Sequence, residues 1–292
     1  MKKTKLFKLA LIAGAFVFAT NTQAQIDTPR PSPAGAVSTT VGLTDIDINY
    51  FRPQAKGRAI FGAGDDALVP FGQMWRAGAN SGTKVSFSDD VKIAGKDLAA
   101  GEYLLLATPG ATDWSIVFYS DLSLGGNVGA FDESKAALTV SVKSSKLTEA
   151  VSTLTYSITD ISENSQNANI QLSWENTAVN IPVMVSFDEA VMSAIEKNTK
   201  VNPRNFMTAA RYYYDNDKDL DQALTWVNTY LSEGENSKQF WNVLLKAQIQ
   251  AKKGDKKAAL ATAKEGMATA KANPEGDYGY VKRYESFIKA TK

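Results

Sequence analysis

The sequence contains no cysteine and no histidine in 292 residues. Without Cys there is no disulfide, no thiolate nucleophile and no Cys-ligated metal. Without His the usual proton carrier near neutral pH is missing, and so is the commonest transition-metal ligand. A Ser-His-Asp triad, a Cys-His dyad and a His-bearing zinc site are therefore excluded. Carboxylate chemistry, Lys-activated nucleophiles, oxygen-ligated cations, or no chemistry remain. An excess of one charge is also lacking: 32 basic residues face 31 acidic ones. That balance supplies no general pull toward nucleic acid or an anionic membrane. No cofactor and no metal are expected.

Residues 1–24 have the pattern of a secretory signal peptide. Lys2, Lys3, Lys5 and Lys8 precede an uncharged run from Leu9 to Ala19, and Thr22 and Ala24 fit a cleavage site. The run is shorter than the ~20 apolar residues of a spanning helix. A cut after Ala24 is expected, leaving an exported chain, periplasmic or secreted, with no membrane span. Residues 25–35 form a Pro-rich lead-in with Pro29, Pro31 and Pro33. Proline fixes φ and removes a donor, so this piece reads as extended, either a linker or an arm lying on a partner.

Residues 36–187 read as strands. In TDIDINYF, Ile46, Ile48 and Tyr50 alternate with Asp45, Asp47 and Asn49, the period of a half-buried strand. Similar short runs cover 83–88, 91–95, 102–109, 114–120, 137–143, 152–160, 168–176 and 179–187. With no helical pattern between them, they predict an antiparallel β-sandwich, jelly-roll-like. Pro182 places the last run at an edge or a bulge.

One stretch, Asn49 to Thr83, breaks the pattern. It carries Arg52, Lys56, Arg58 and Arg76 among glycines and the aromatics Tyr50, Phe51, Phe61, Phe71 and Trp75. Insertions longer than ordinary hairpin loops are often functional or carry structure of their own. Arg52, Lys56, Arg58, Trp75, Arg76, Asn80 and Thr83 are the candidate ligand-binding residues, since guanidinium groups clamp carboxylate, phosphate or sulfate. The structural alternative has Phe61, Phe71 and Trp75 plugging the sandwich while Arg52 and Arg76 pair with Asp45, Asp65 or Asp66.

Several motifs in this region occur in a fixed order: Ser32-Pro33, Tyr50-Phe-Arg-Pro, Lys56-Gly-Arg, Ile60-Phe-Gly, Leu68-Val-Pro-Phe-Gly, Trp75-Arg-Ala-Gly-Ala-Asn and Ala100-Gly-Glu-Tyr. Together they resemble the family catalogued as domain of unknown function 2911, exported proteins of Bacteroidetes-type bacteria, over most of residues 30–190. In that family a Glu often follows the Gly-Ala-Asn; here Ser81 stands there. The resemblance implies fold and location and no activity.

Residues 188–292 change to a helical period. Phe206, Ala209, Ala210 and Tyr213 share a face; so do Leu220, Leu224, Val227 and Leu231, then Phe240, Leu244, Ala247 and Ala251, then Ala259, Ala263 and Met267. The pairs Ala223-Leu224 and Ala259-Leu260 stand 36 residues apart, close to the ~34-residue tetratricopeptide period. Two helix pairs are expected, packing on the sandwich or against a final helix, Tyr278–Thr291. Such pairs serve either as a peptide-binding surface or as a buttress. The acidic run Asp215–Asp221 has Leu220 and Trp226 where a calcium loop needs Gly and Glu, and reads instead as a capped turn.

The function most consistent with these residues is an exported, non-catalytic binding or assembly protein of the bacterial envelope. Its ligand or partner is a small molecule, a glycan or an envelope protein, held by the Arg/aromatic/Gly loop. The alternatives are a glycan hydrolase using carboxylates such as Asp65, Asp66 or Glu102, and a purely structural envelope component.

Overall fold

A computed structural model describes residues 28–199, 202 and 205–292; the signal-peptide reading of residues 1–24 and the cut after Ala24 lie outside them. The chain forms two compact units divided between Ser186 and Phe187.

The first unit carries eleven strands: β1 (Ala34–Val41), β2 (Thr44–Phe51), β3 (Phe61–Gly62), β4 (Val69–Pro70), β5 (Thr83–Phe87), β6 (Val91–Ile93), β7 (Lys96–Leu98), β8 (Gly101–Thr108), β9 (Asp113–Tyr119), β10 (Ala136–Thr159) and β11 (Asn167–Val185). Nine of them build one antiparallel sheet in the order β1-β2-β5-β8-β9-β10-β11-β6-β7, while β3 and β4 pair separately. The period-2 pattern is realised in β2, where Ile46, Ile48 and Tyr50 are buried and Asp45 and Asn49 are exposed. The central strands depart from it. Tyr103 to Ala107 in β8 and Ile116 to Tyr119 in β9 are buried without a break. Their second face is covered by Met74, Leu122, Leu124, Val128 and Phe131. A strand covered on both sides needs apolar residues at every position.

Four short runs expected between residues 137 and 187 are two long strands. β10 pairs first with β9 and then with β11, and its register against β11 shifts twice, between Lys146, Val151 and Thr155. These bulges hold extra residues without ending the ladder, and they bend it. The bend brings β2 over the second half of β10, where the Tyr50 and Tyr156 rings meet edge-on at 4.9 Å. The layers of the β region are thus parts of one continuous folded sheet. The β6–β7 turn was hidden in the run 91–95: Ala94 and Gly95 both have positive φ, 48° and 83°, the geometry of a tight primed hairpin turn. Pro182 lies opposite this turn, accepting from the Ala94 N–H at 2.9 Å at the end of the β6–β11 ladder.

The second unit carries α1 (Asp188–Thr199), α2 (Asn205–Asp215), α3 (Leu220–Leu231), α4 (Phe240–Lys252), α5 (Lys256–Ala272) and α6 (Tyr280–Thr291). Successive helices pack, and α2 also meets α4 while α4 meets α6. The helices therefore form two layers, with α2, α4 and α6 side by side and α3 and α5 behind them. Ala210, Ala223, Val227, Leu245 and Ile249 fill one core, and Phe240, Leu244, Ala247, Ala263, Ala270 and Tyr284 fill the next. These are largely the stripes the periodicity marked. The acidic run 215–221 is the α2–α3 turn: the Asp219 carboxylate caps α3, accepting from the N–H groups of Asp221 and Gln222 at 2.9 and 3.0 Å.

Candidate functional site

The Asn49–Thr83 stretch leaves β2 and returns as β5. Both ends of the excursion are pinned by the sheet. Pro53 O accepts from Leu154 N at 2.9 Å and Ala55 N donates to Ser152 O at 2.7 Å, which ties the segment to β10. Trp75 exchanges two backbone bonds with Ala107 of β8, at 2.7 and 2.8 Å. The short parallel pair β3–β4 closes the excursion on itself.

Phe61 and Trp75 pack inward. Phe61 meets Trp114 at 4.7 Å and Trp75 at 5.7 Å, and Trp75 stacks on Trp174 of β11 at 5.9 Å. The Trp75 indole donates to Gly78 O at 3.0 Å. The Ala77 carbonyl accepts from Thr83 Oγ1 and from Tyr156 Oη, both at 2.8 Å. Burial raises the Tyr156 phenol well above its ordinary pKa, so it stays a donor. Phe61 and Trp75 therefore carry structural contacts, and Trp75 also reaches the groove.

The basic half is not neutralised internally. Among the described residues no carboxylate forms an ion pair with Arg52, Lys56, Arg58 or Arg76. Asp65 and Asp66 are exposed, and Asp45 accepts from Thr40 Oγ1. Glu102 pairs with Lys84 at 3.6 Å.

The candidate residues separate into two sets. Lys56, Arg58, Trp75 and Arg76 line one groove of about 500 Å³, together with Ser32, Gln54, Leu68, Val69 and Trp174. Arg52, Asn80 and Thr83 do not line it. Arg52 donates to Leu154 O at 3.3 Å and to Thr155 Oγ1 at 3.1 Å, holding β2 to β10. Asn80 is exposed with φ 53°, and Thr83 is fully buried. Arg58 braces its own turn through Ala55 O at 3.0 Å and Gln54 O at 2.6 Å. Lys56 stands exposed.

Among the described residues no Asp or Glu lines the groove. Two of its lining residues also hold buried N–H groups with no acceptor, Arg76 Nε and Trp174 Nε1. Buried donors are almost always paired, which makes these two exceptions to the general pattern. The Arg76 stem runs beside the 121–131 loop, where a Cβ on Gly126 would come 3.1 Å from Arg76 Cδ and 2.2 Å from Asn80 O.

Asp121 anchors that loop. It accepts from Lys135 Nζ at 2.6 Å and from Ser123 N at 2.9 Å. The Lys135 bond foremost, then Ser123, hold its pKa at about 2 against an ordinary 3.8. A depressed folded-state pKa contributes stability that is present above 3.8 and lost as pH falls through about 2. Asp121→Asn should therefore lower the thermal midpoint at neutral pH, with the difference from the parent vanishing below about pH 2. Melting curves at several pH values check this, and a pH-independent difference would contradict the assignment.

Trp174, Ser32 and Gln54 escaped sequence reasoning. Trp174 sits in a regular apolar alternation with Ile170 and Leu172 and looks like core. A register shift lies beside it, where Glu175 has φ 54°, and no residue type in the sequence announces it. The prolines of residues 25–35 gave no sign that Pro31 and Ser32 would form a wall.

The family model described as Protein of unknown function (DUF2911) matches residues 32–183. No curated protein and no solved structure matches the chain.

Proposed function

The chain belongs to the DUF2911 family of proteins of unknown function, and from that premise we propose that it is an exported, non-catalytic binding protein of the bacterial envelope whose groove takes an amphipathic anion. The signal-peptide pattern of residues 1–24 supports export. The observation that carries the binding reading is the groove's composition: Lys56, Arg58 and Arg76 beside Trp75 and Trp174, with no carboxylate among the described residues. Such a lining favours a ligand with an acid group for Lys56 and Arg58 and a flat apolar body against Leu68, Val69 and the indoles. A glycan hydrolase would need two carboxyl groups about 5–10 Å apart in the cleft, and this groove supplies none. The helical unit is read as tetratricopeptide-like pairs that add a second binding surface.

Calorimetric titration with 2-naphthoate, against the neutral 2-naphthamide, tests the reading. The acid should bind at least ~10-fold more tightly than the amide, a difference of ~1.4 kcal/mol. The double variant Lys56→Ala/Arg58→Ala should remove that preference. Lys56 is exposed, so Lys56→Ala alone should hold the thermal midpoint, while Arg58→Ala also removes the bonds to Ala55 O and Gln54 O and should lower it; the acid-to-amide affinity ratio of each variant is therefore the readout. Equal affinity for acid and amide would contradict the proposal.

A further inference from the structure

We propose that the helical unit carries a second, separate site: a groove across α2, α4 and α6 that docks an acidic peptide segment of another protein. This groove measures about 740 Å³ and lies wholly within residues 211–290. Its geometry follows from helical spacing. Trp241, Leu244 and Gln248 fall at i, i+3 and i+7 on α4 and share one face, as Tyr280, Arg283 and Phe287 do on α6.

The charge on this surface is one-sided. Arg211 lines one wall and Lys282 and Arg283 the other, and among the described residues no Asp or Glu lines this groove. In a chain whose net charge is +1, that is a local concentration of charge. Among the described residues neither Lys282 nor Arg283 makes an ion pair. Among the described residues Arg211 makes no ion pair; it has a long 3.4 Å bond to the neutral Gln248 Oε1 and lies 5.8 Å from the Tyr214 ring centroid. The Arg283 guanidinium lies 4.7 Å from the Tyr280 ring centroid, which holds its plane against the wall. Between the charged walls Trp241 is 40% exposed, a large apolar side chain left in water.

The occupant follows from this order of groups. Cations on two walls with an apolar floor between them complement acidic residues flanking a large apolar side chain. A peptide can present that alternation within a few residues, and its carboxylates can meet Arg forks bidentately. A nucleic-acid strand would draw on a continuous basic track with a strong salt dependence, and the balanced chain provides no such track.

The test uses the full chain and a synthetic pentapeptide with a central Phe between two pairs of acidic residues. It should bind with micromolar affinity, measured by calorimetry, and shift the Trp241 indole N–H resonance while leaving Trp174 in place. Arg211→Gln and Arg283→Gln should each weaken binding ~10-fold with unchanged circular dichroism, the effect of losing one charge-assisted contact. The peptide with Gln and Asn in place of its acids should not bind. No shift at Trp241, equal binding of the neutral peptide, insensitivity to both Arg variants, or equal binding of a short oligothymidylate would overturn the proposal. These readouts sit at Trp241, so failure here leaves the β-unit groove untouched, and the reverse holds too.

Discussion

Gly266→Ala should lower the melting temperature of the helical unit sharply. In an exposed helix the same change stabilises by about 1 kcal/mol, because Ala restricts the unfolded chain and suits the helix. Here a Cβ would stand 2.1 Å from Tyr284 Oη, 2.5 Å from Tyr284 Cζ and 3.0 Å from Val243 Cγ1. The ring has nowhere to retreat. Tyr284 is fully buried, its hydroxyl donates to Phe240 O at 2.6 Å, and Met267, Val281 and Phe287 surround that core. Overpacking of this kind costs about 1–3 kcal/mol, and breaking the buried hydrogen bond adds about 1–3 more. The clash therefore outweighs the propensity gain, for a net loss of roughly 1–5 kcal/mol. Tyr284→Phe in the same background should restore only part of it, since Cζ remains. Thermal circular dichroism decides; an unchanged midpoint would show that α5 and α6 do not approach as closely as described.

Trp75→Ala should be the most damaging change in the β unit, and the three related indole variants should rank in a set order. Trp75 contacts Phe61 and Trp174 and is 9% exposed. Truncating such a residue costs about 3–5 kcal/mol. Trp75→Phe keeps a ring but leaves Gly78 O without its 3.0 Å donor, which costs about 1–2 kcal/mol. Trp174→Phe should cost less than either, because the N–H it removes has no acceptor to lose. Denaturant unfolding should place the midpoints in the order parent and Trp174→Phe, then Trp75→Phe, then Trp75→Ala. If Trp174→Phe were the worst of the three, its indole N–H would be satisfied and the acceptor-poor groove would lose one of its two unpaired donors.

What could be read from the sequence followed from whether a local pattern had a single physical cause. β2 alternates because one face is buried and the other is wet, and its boundaries were legible. The stripes of α2 to α5 were legible for the same reason. β10 and β11 were misread as four strands because their bulges interrupt the alternation without interrupting the ladder. β7 was missed because Ala94 carries a positive φ that nothing in its side chain announces. The Asn49–Thr83 stretch stood out by composition, yet composition could not sort its members. Arg52 and Arg58 look alike in the sequence. One ties β2 to β10 and the other lines a groove, a distinction made by contacts about 100 positions away in the chain. Trp174 joined the groove by the same kind of long-range contact and looked like ordinary core.

The central claim is that the β-unit groove receives an anion against its tryptophans. The five indoles are a built-in reporter: Trp75, Trp114 and Trp174 belong to the β unit, and Trp226 and Trp241 to the helical unit. In a nitrogen–proton correlation spectrum of the intact protein titrated with 2-naphthoate, the account predicts saturable shifts of the Trp174 and Trp75 indole signals, none at Trp226 or Trp241, and no such shifts with 2-naphthamide. Indole signals of Trp75 and Trp174 that stay fixed at saturating 2-naphthoate, or that move equally with the amide, would contradict it.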